Sequence, residues 1–255
     1  MPTQRNAAAS PYRDDLAFIH DAGFGHVSQN AAAELLKRLA PFQKHGFPSR
    51  LIVDLGCGSG ILAREISAAG YKVLGFDLSD GMLALAAKYV PRAEFRRESF
   101  ISAEIPACLA VTAIGEVFNY LFDSRNRGQR LSAMFNRVHA ALCPGGFFLF
   151  DIAEPGRVHG SGPQRGYSEG TGWACLYTAE EDRRRKTLTR TITTFRKHGE
   201  NYRRQREVHR LRLFPRADVL SQLRDAGFQA WILGGYARFR FPTGWAAFLA
   251  RKVGR

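Results

Sequence analysis

The segment "LIVDLGCGSG" at residues 51–60 decides the fold of this chain of 255 residues. An apolar run ends in an acid, Asp54, and three glycines follow it closely: Gly56, Gly58 and Gly60. Glycine lets the backbone turn tightly and approach a ligand, and a helix that begins behind such a loop points its free amide groups at an anion. A strand, a glycine loop and a helix in this order predict a ligand site at the carboxyl end of a parallel strand.

Strands and helices alternate on both sides of this loop, which is typical of a parallel sheet covered by helices. Core strands are predicted at "LIVDL", "YKVLGFDL", "EFRR", "LAVTAIG" and "GFFLFDI". A loop rich in Gly, Pro and Ser over 154–172 precedes three strand-like stretches near 172–180, 187–196 and 202–213. The α/β pattern then returns in "RADVLSQLRDAGF" and "WAAFLARK". We therefore predict an α/β fold: a Rossmann-like, mostly parallel sheet with helices on both faces and an inserted antiparallel β flap.

The net charge of +14 is concentrated in that flap. Residues 1–150 carry 16 Lys and Arg against 13 Asp and Glu, whereas residues 183–216 carry 13 against 2. Charge of this kind attracts polyanions and also promotes solubility, so it does not select a function by itself. Because side chains alternate along a strand, one face is predicted to carry Arg204, Arg206, Arg210 and Arg212, and the other His209, Leu211 and Leu213.

Several classes of protein are disfavoured by composition. No apolar run approaches the roughly 20 residues that a bilayer requires, and the first residues lack the apolar core of a secretory signal. The four cysteines are scattered without metal-ligand or disulfide-framework spacing, so no metal site is predicted. We expect a cytoplasmic protein that does not contact a membrane.

A second acid helps to identify the type of cofactor. Dinucleotide enzymes space their glycines as GxGxxG, whereas this loop has GxGxG. Asp77 ends the second predicted strand in "GFDLS", where a carboxylate can accept both hydroxyl groups of a ribose. The glycine spacing therefore argues against a nicotinamide dinucleotide, and the acid is placed to hold the ribose of a cofactor.

From about residue 50 to residue 152 the sequence resembles the class I S-adenosylmethionine-dependent methyltransferases, through "VDLGCGSG", "GFDLSDGML" and "CPGGFFLFD". The resemblance implies S-adenosyl-L-methionine as the cofactor. Together with the pattern of strands and helices, it predicts an N-terminal helical cover (1–45), a cofactor-binding core (46–155), the inserted flap (156–214) and a C-terminal completion of the core sheet (215–255).

The resemblance also assigns residues to parts of the cofactor. The loop with Asp54, Gly56, Gly58 and Gly60 would hold the methionyl part. Asp77 would bind the ribose, and Leu78 would pack on the adenine. Ser99 and Phe100 would border the adenine, although many relatives carry an acid where this chain has Ser99.

The loop after the fourth strand, "IGEVFNYLFD", is where this family places residues between cofactor and acceptor. Glu116 is predicted to hold or deprotonate an amine or hydroxyl group, with Asn119 and Tyr120 as hydrogen-bonding neighbours. The alternative for Glu116 is a solvated carboxylate or a helix cap. In the N-terminal cover, a further set of side chains is predicted to face the site: Tyr12, His20 and Phe24.

Two absences in this loop bear on the acceptor. Enzymes that methylate exocyclic amines of nucleic acids usually carry an Asn/Asp-Pro-Pro-aromatic motif here, and this chain has "GEVFNY". Methylation of a pyrimidine carbon would require a cysteine in this region, and there is none. We therefore predict methyl transfer to nitrogen or oxygen of a small molecule. The alternatives are an RNA or protein methyltransferase that docks through the Arg-rich flap, and a non-catalytic cofactor-binding module; the oligomeric state stays open.

Overall fold

A computed structural model describes residues 11–41, 49–127, 131–160 and 162–254. Within them, seven strands form the central sheet: β1 Leu51–Leu55, β2 Lys72–Asp77, β3 Glu94–Arg97, β4 Cys108–Ala113, β5 Leu142–Ala153, β10 Phe228–Leu233 and β13 Trp245–Lys252. Their order is β10-β13-β5-β4-β1-β2-β3, and β13 alone runs antiparallel to its neighbours. Because the strand order reverses between β1 and β4, the loops that follow these two strands diverge and leave a crevice at the carboxyl edge of the sheet.

Helices cover both faces of this sheet: α1 Asp14–Phe24, α2 His26–Leu39, α3 Ile61–Ala68, α4 Asp80–Tyr89, α5 Leu131–Ala141 and α6 Arg216–Asp225. One buried cluster packs α5 and α6 against the sheet through Phe135 and Leu223. A second packs α2 and α3 on the opposite face through Leu35 and Ile66. Each fully buried side chain of this size contributes on the order of 2 kcal/mol. The predicted Rossmann-like, mostly parallel sheet with helices on both faces is confirmed.

The inserted flap is a four-stranded antiparallel sheet of β6 Gln164–Gly170, β7 Trp173–Asp182, β8 Thr187–His198 and β9 Asn201–Arg212. The first of these strands lies in the stretch predicted as a loop. Its sequence, "QRGYSEG", has little β-forming character and is mostly exposed, and its order comes from the backbone ladder with β7. Two short strands, β11 Gly235–Tyr236 and β12 Phe239–Arg240, form a separate hairpin.

The N-terminal cover is tied to the flap by a buried carboxylate on α1. Asp15 is fully buried and accepts two hydrogen bonds of 2.6 Å from the Arg203 guanidinium, with Arg196 and His198 at 3.3 and 3.5 Å. Residues 1–10 and 42–45 of the predicted cover lie outside the described residues. In the part of the chain that the structure describes, no helix combines the length and apolar character needed to cross a membrane.

Candidate functional site

A cavity of about 460 Å³ lies between the carboxyl edge of the central sheet and the inner face of the flap. Its core wall comes from the loops after β1, β2, β3 and β4, and its roof from the flap strands β6, β7 and β8. The three predicted cover residues, Tyr12, His20 and Phe24, close one side. The volume falls within the range typical of small-molecule sites.

The glycine loop forms part of the core wall, and its three predicted glycines have different local environments. Gly56, Gly58 and Gly60 all have left-handed backbone angles, with φ of 70°, 54° and 79°. A Cβ on Gly58 would meet only the Met82 sulfur at 3.9 Å, so this backbone faces open space. A Cβ on Gly60 would press on Ala86 at 3.1 Å, so this glycine permits close packing of α3 on α4.

Asp77 is positioned by backbone donors beside this loop. Its Oδ2 accepts from the Gly58 amide at 2.9 Å and its Oδ1 from the Ser79 amide at 2.8 Å. Burial raises the pKa of Asp77 above its ordinary value. The carboxylate also borders the cavity, next to Leu78 and near Phe100. Each carboxylate oxygen can accept a further hydrogen bond, so Asp77 is able to hold a diol.

Three predicted cofactor residues, Gly60 among them, lie behind the cavity wall instead of lining it, and two of the three carry polar side chains. Asp54 is buried, its Oδ1 accepts from the Thr112 hydroxyl at 2.6 Å, and burial raises its pKa to about 7. Ser99 is buried, and its hydroxyl oxygen accepts from the Ile101 amide at 3.3 Å. Both side chains therefore shape the loops that line the cavity, while direct contact with the cofactor stays a prediction.

An acid that the sequence did not point to lies beside Ser99. Asp123 lines the cavity and interacts with the Ser99 side chain. Arg125 binds its carboxylate through Nε and Nη2, and this hydrogen bonding lowers the pKa of Asp123 to about 2. A carboxylate therefore lies next to Ser99, supplied by a different loop.

Glu116 lies in the loop after β4 and also lines the cavity. Its backbone is left-handed, with φ of 62°, an arrangement that costs energy for a residue other than glycine. Asp151 on β5 stabilises it by accepting from the Glu116 amide at 2.7 Å and the Gly115 amide at 3.0 Å. Asp151 also accepts from the Tyr236 hydroxyl and the Trp245 indole. Asp151, itself held by Tyr236 and Trp245, therefore fixes the conformation of the loop after β4.

The Glu116 carboxylate is buried between two arginines that the sequence analysis did not single out. Arg157 Nε lies 3.1 Å from Oε1, and Arg190 Nη1 lies 2.6 Å from Oε2. Burial alone raises the pKa of Glu116, but the charges and hydrogen bonds of the two arginines outweigh it and hold the pKa below its ordinary value. The side chain is thus an ionised carboxylate with little tendency to take up a proton.

Tyr120 adjoins this ion-pair cluster. Its hydroxyl lies 2.9 Å from the hydroxyl of Tyr12 and next to the Arg190 guanidinium. Burial raises the pKa of both phenols, so both stay neutral near pH 7. Asn119, by contrast, uses its amide on the backbone of Ala153 and Arg212, which makes it a structural bridge between the core and the flap.

A family model described as a methyltransferase domain matches residues 52–146. Two bacterial relatives both bear the name Putative methyltransferase. One, from Geobacillus sp. (strain WCH70), is 32% identical over 121 residues, covering 46% of this chain and 47% of the relative. The other, YqeM of Bacillus subtilis (strain 168), is 26% identical over 188 residues, covering 70% and 73%. A third relative, the 18S rRNA (guanine(1575)-N(7))-methyltransferase of Saccharomyces cerevisiae (strain ATCC 204508 / S288c), is 29% identical over 109 residues, or 40% of each chain.

Solved structures share the fold over nearly the whole chain. An S-adenosylmethionine-dependent methyltransferase from Clostridium acetobutylicum ATCC 824 has a TM-score of 0.75 and 20% identity, covering 94% of this chain and 98% of its own. CalS10 from Micromonospora echinaspora, an amino pentose methyltransferase solved with bound S-adenosylmethionine, has a TM-score of 0.70 and 20% identity, covering 92% and 97%.

Three observations agree with one another. The sheet order with a single antiparallel strand, the open glycine loop beside Asp77, and the matched family model all belong to the same kind of protein. The resemblance noted in the sequence is confirmed, and with it S-adenosyl-L-methionine as the cofactor. Residues 52–146 therefore carry a methyltransferase domain, and the fold of the chain is that of the S-adenosylmethionine-dependent methyltransferases of class I.

Proposed function

We propose that this protein transfers a methyl group from S-adenosylmethionine to a nitrogen or oxygen atom of a small molecule bound beneath the flap. The observation that carries the proposal is that one cavity is bordered both by the cofactor loops and by the inner face of the flap. An acceptor held under β7 and β8 would share an enclosed space with the cofactor, away from bulk water. The predicted division into cover, core, flap and completing strands fits this arrangement and remains part of the proposal.

The residues on the core wall fit the cofactor. The Gly58 backbone faces open space where a side chain would intrude, and Asp77 offers carboxylate oxygens to a ribose diol. Leu78 and Phe100 supply apolar surface for a base. S-adenosylmethionine supplies an electrophilic methyl group on a sulfonium centre. The protein's part in such a displacement is alignment of the acceptor and exclusion of water.

The acceptor end of the cavity favours an uncharged nucleophile. Arg157 and Arg190 together outweigh the single charge of Glu116, and a nearby positive charge disfavours protonation of an amine and favours loss of a proton from a hydroxyl. Tyr120 lines the same cavity with a neutral hydroxyl group that can help to position the acceptor. The low pKa of Glu116 favours a role in holding groups in place over removal of a proton.

A nucleic acid is the second candidate acceptor. The observations in its favour are the exposed row Arg204, Arg206 and Arg210 on β9 and the rRNA methyltransferase among the relatives. These arginines lie on the outer face of the flap, so their side chains point away from the cavity. We therefore favour a small acceptor, a choice consistent with the amino pentose methyltransferase among the structural neighbours. The cytoplasmic location stays a prediction.

A matched pair of variants on β8 tests where the acceptor binds. Ile192 lines the cavity, and its neighbour Thr191 is in register with exposed Val208 on the outer face. Ile192→Trp should fill the acceptor end and abolish transfer of labelled methyl groups to small molecules of a cell extract, while affinity for S-adenosylhomocysteine is retained. Thr191→Trp should leave both unchanged. Equal transfer by the two variants would contradict an acceptor site under the flap.

A further inference from the structure

Arg157 and Arg190 approach the cavity from different parts of the fold. Arg190 extends from the inner face of β8, and Arg157 follows β5 in the segment that leads into the flap. Their side chains are 18% and 19% exposed, and the Glu116 carboxylate between them is 4% exposed. Two guanidinium groups thus share one buried carboxylate at the wall of the cavity.

This cluster carries an excess of positive charge. Around it, the phenols of Tyr12 and Tyr120 are neutral because burial raises the pKa of each. The other carboxylates that line the cavity lie elsewhere in the chain: Asp77 at the end of β2, Glu98 after β3, and Asp123 in the segment beyond Tyr120. A partly buried charge without a full complement of partners is costly, so the cluster favours a ligand with negative charge.

The two guanidinium groups also keep donors for such a ligand. Arg157 uses Nε for Glu116 and stacks on the Trp245 ring, with its guanidinium carbon 5.0 Å from the ring centre. Its terminal nitrogens have no hydrogen-bond partner among the described residues. Arg190 approaches Glu116 through Nη1 and also hydrogen-bonds the Tyr120 hydroxyl, which leaves the rest of its five donors for a ligand. A guanidinium binds carboxylate and phosphate oxygens in pairs, which a point charge does not.

The positions of both arginines are fixed before any ligand binds. The two oxygens of Glu181 accept from the amides of Gly156 and Val158 at 2.8 and 3.0 Å, on either side of Arg157. Arg190 lies in the middle of its strand, in register with Ala179 on β7 and His209 on β9. Exposed arginines such as Arg206 on the outer face have no comparable support.

We propose that the methyl acceptor carries an anionic group, a carboxylate or a phosphate, which Arg157 and Arg190 bind while Glu116 holds both guanidinium groups in place. The substrate is thus an amine or alcohol that also bears an acid. This inference rests on the proposed function, because it assigns the acceptor of the same cavity. It also gives the ion-pair cluster a role in selecting the acceptor, separate from any role in proton transfer.

Titration of the protein with simple anions tests the inference without the unidentified acceptor. Inorganic phosphate and acetate are added in turn to protein saturated with S-adenosylhomocysteine and to protein without it. Binding is followed by calorimetry and by tryptophan fluorescence, since Trp245 lies against Arg157. We expect at least one anion to bind, and the preferred one identifies the acidic group as phosphate or carboxylate.

Variants assign this binding to the cluster. Arg190→Gln and Arg157→Gln should each weaken anion binding by about tenfold or more, whereas Arg206→Gln on the outer face should leave it unchanged. Glu116→Gln keeps the shape of the side chain and one oxygen that can accept from a guanidinium group, so the arginines stay in place. Because the competing charge is removed, anion binding should tighten by about tenfold. Arg190→Lys, which retains the charge, should lose less affinity than Arg190→Gln.

Three results would overturn the inference. They are absence of phosphate and acetate binding by the unaltered protein, anion binding that survives both glutamine substitutions, and weaker anion binding in Glu116→Gln. Binding of S-adenosylhomocysteine is measured separately. If the protein does not bind S-adenosylhomocysteine, the proposed methyl transfer is contradicted. If it binds S-adenosylhomocysteine but no anion, only the anionic acceptor is contradicted.

Discussion

Replacing Asp77 with asparagine tests the cofactor wall at a single carboxylate. In the folded protein this group accepts from two backbone amides, at 2.9 and 2.8 Å, and borders the cavity. A hydrogen bond to a charged group contributes roughly 1.5–3 kcal/mol. Asparagine removes the charge and one acceptor oxygen, and its NH₂ group would face a backbone donor. We expect a loss of about 2–3 kcal/mol in cofactor binding, or roughly 30- to 140-fold in Kd.

The assay is calorimetric titration with S-adenosylhomocysteine, well below the melting temperature of each variant. Asp80→Asn is the matched control, because Asp80 is 65% exposed and pairs with Arg97 at the surface; it should change Kd by less than about twofold. Since burial raises the pKa of Asp77, affinity of the unaltered protein should weaken on acidification, and Asp77→Asn should lack this dependence. A folded Asp77→Asn variant with unchanged affinity at neutral pH would refute the reasoning.

Three further predictions concern stability and the flap. Asp15→Asn should lower the free energy of unfolding in urea by about 2 kcal/mol at neutral pH. Hydrogen bonds from a flap guanidinium hold the pKa of Asp15 below its ordinary value, so this deficit should shrink as pH falls through that pKa. For Asp54 the pH dependence is the reverse, because burial raises its pKa to about 7 and the unaltered protein loses stability as pH rises toward 7. The loss in free energy of unfolding caused by Asp54→Asn should therefore be smaller at about pH 8 than at about pH 5. Joint replacement of Arg204, Arg206 and Arg210 by glutamine should leave melting temperature and S-adenosylhomocysteine affinity nearly unchanged. If the unaltered protein binds RNA with submicromolar affinity at physiological salt and this variant does not, a nucleic-acid acceptor is supported instead.

The cofactor half of the site was predictable because its chemistry is local in sequence. Three glycines after β1 indicate a backbone with left-handed angles. Gly58 has such angles, and its backbone faces open space. Asp77 is the last residue of β2, which pairs in parallel with β1. This pairing places the Asp77 carboxylate next to the Gly58 amide. Short-range patterns of this kind can be recognised in the sequence without knowledge of the tertiary contacts.

The acceptor half was less predictable because its residues meet only through tertiary structure. Arg157 reaches Glu116 across 41 positions, and no local pattern marks such a pair. Arg190 could have been found from the sequence. It lies two residues from both Leu188 and Ile192 on β8, so the three side chains are on the same, inner face of the flap. Strand β6 was missed for a related reason: its order comes from pairing with β7, and a composition rich in polar residues and glycine reads as a loop.

The most direct test of the central claim is to find which molecules receive the methyl group. The protein is incubated with S-adenosylmethionine labelled in its methyl group and with a cell extract, and the extract is then separated into small molecules, RNA and protein. We predict that the label enters the small-molecule fraction as an N-methyl or O-methyl product. Label confined to RNA or protein would contradict an acceptor bound beneath the flap.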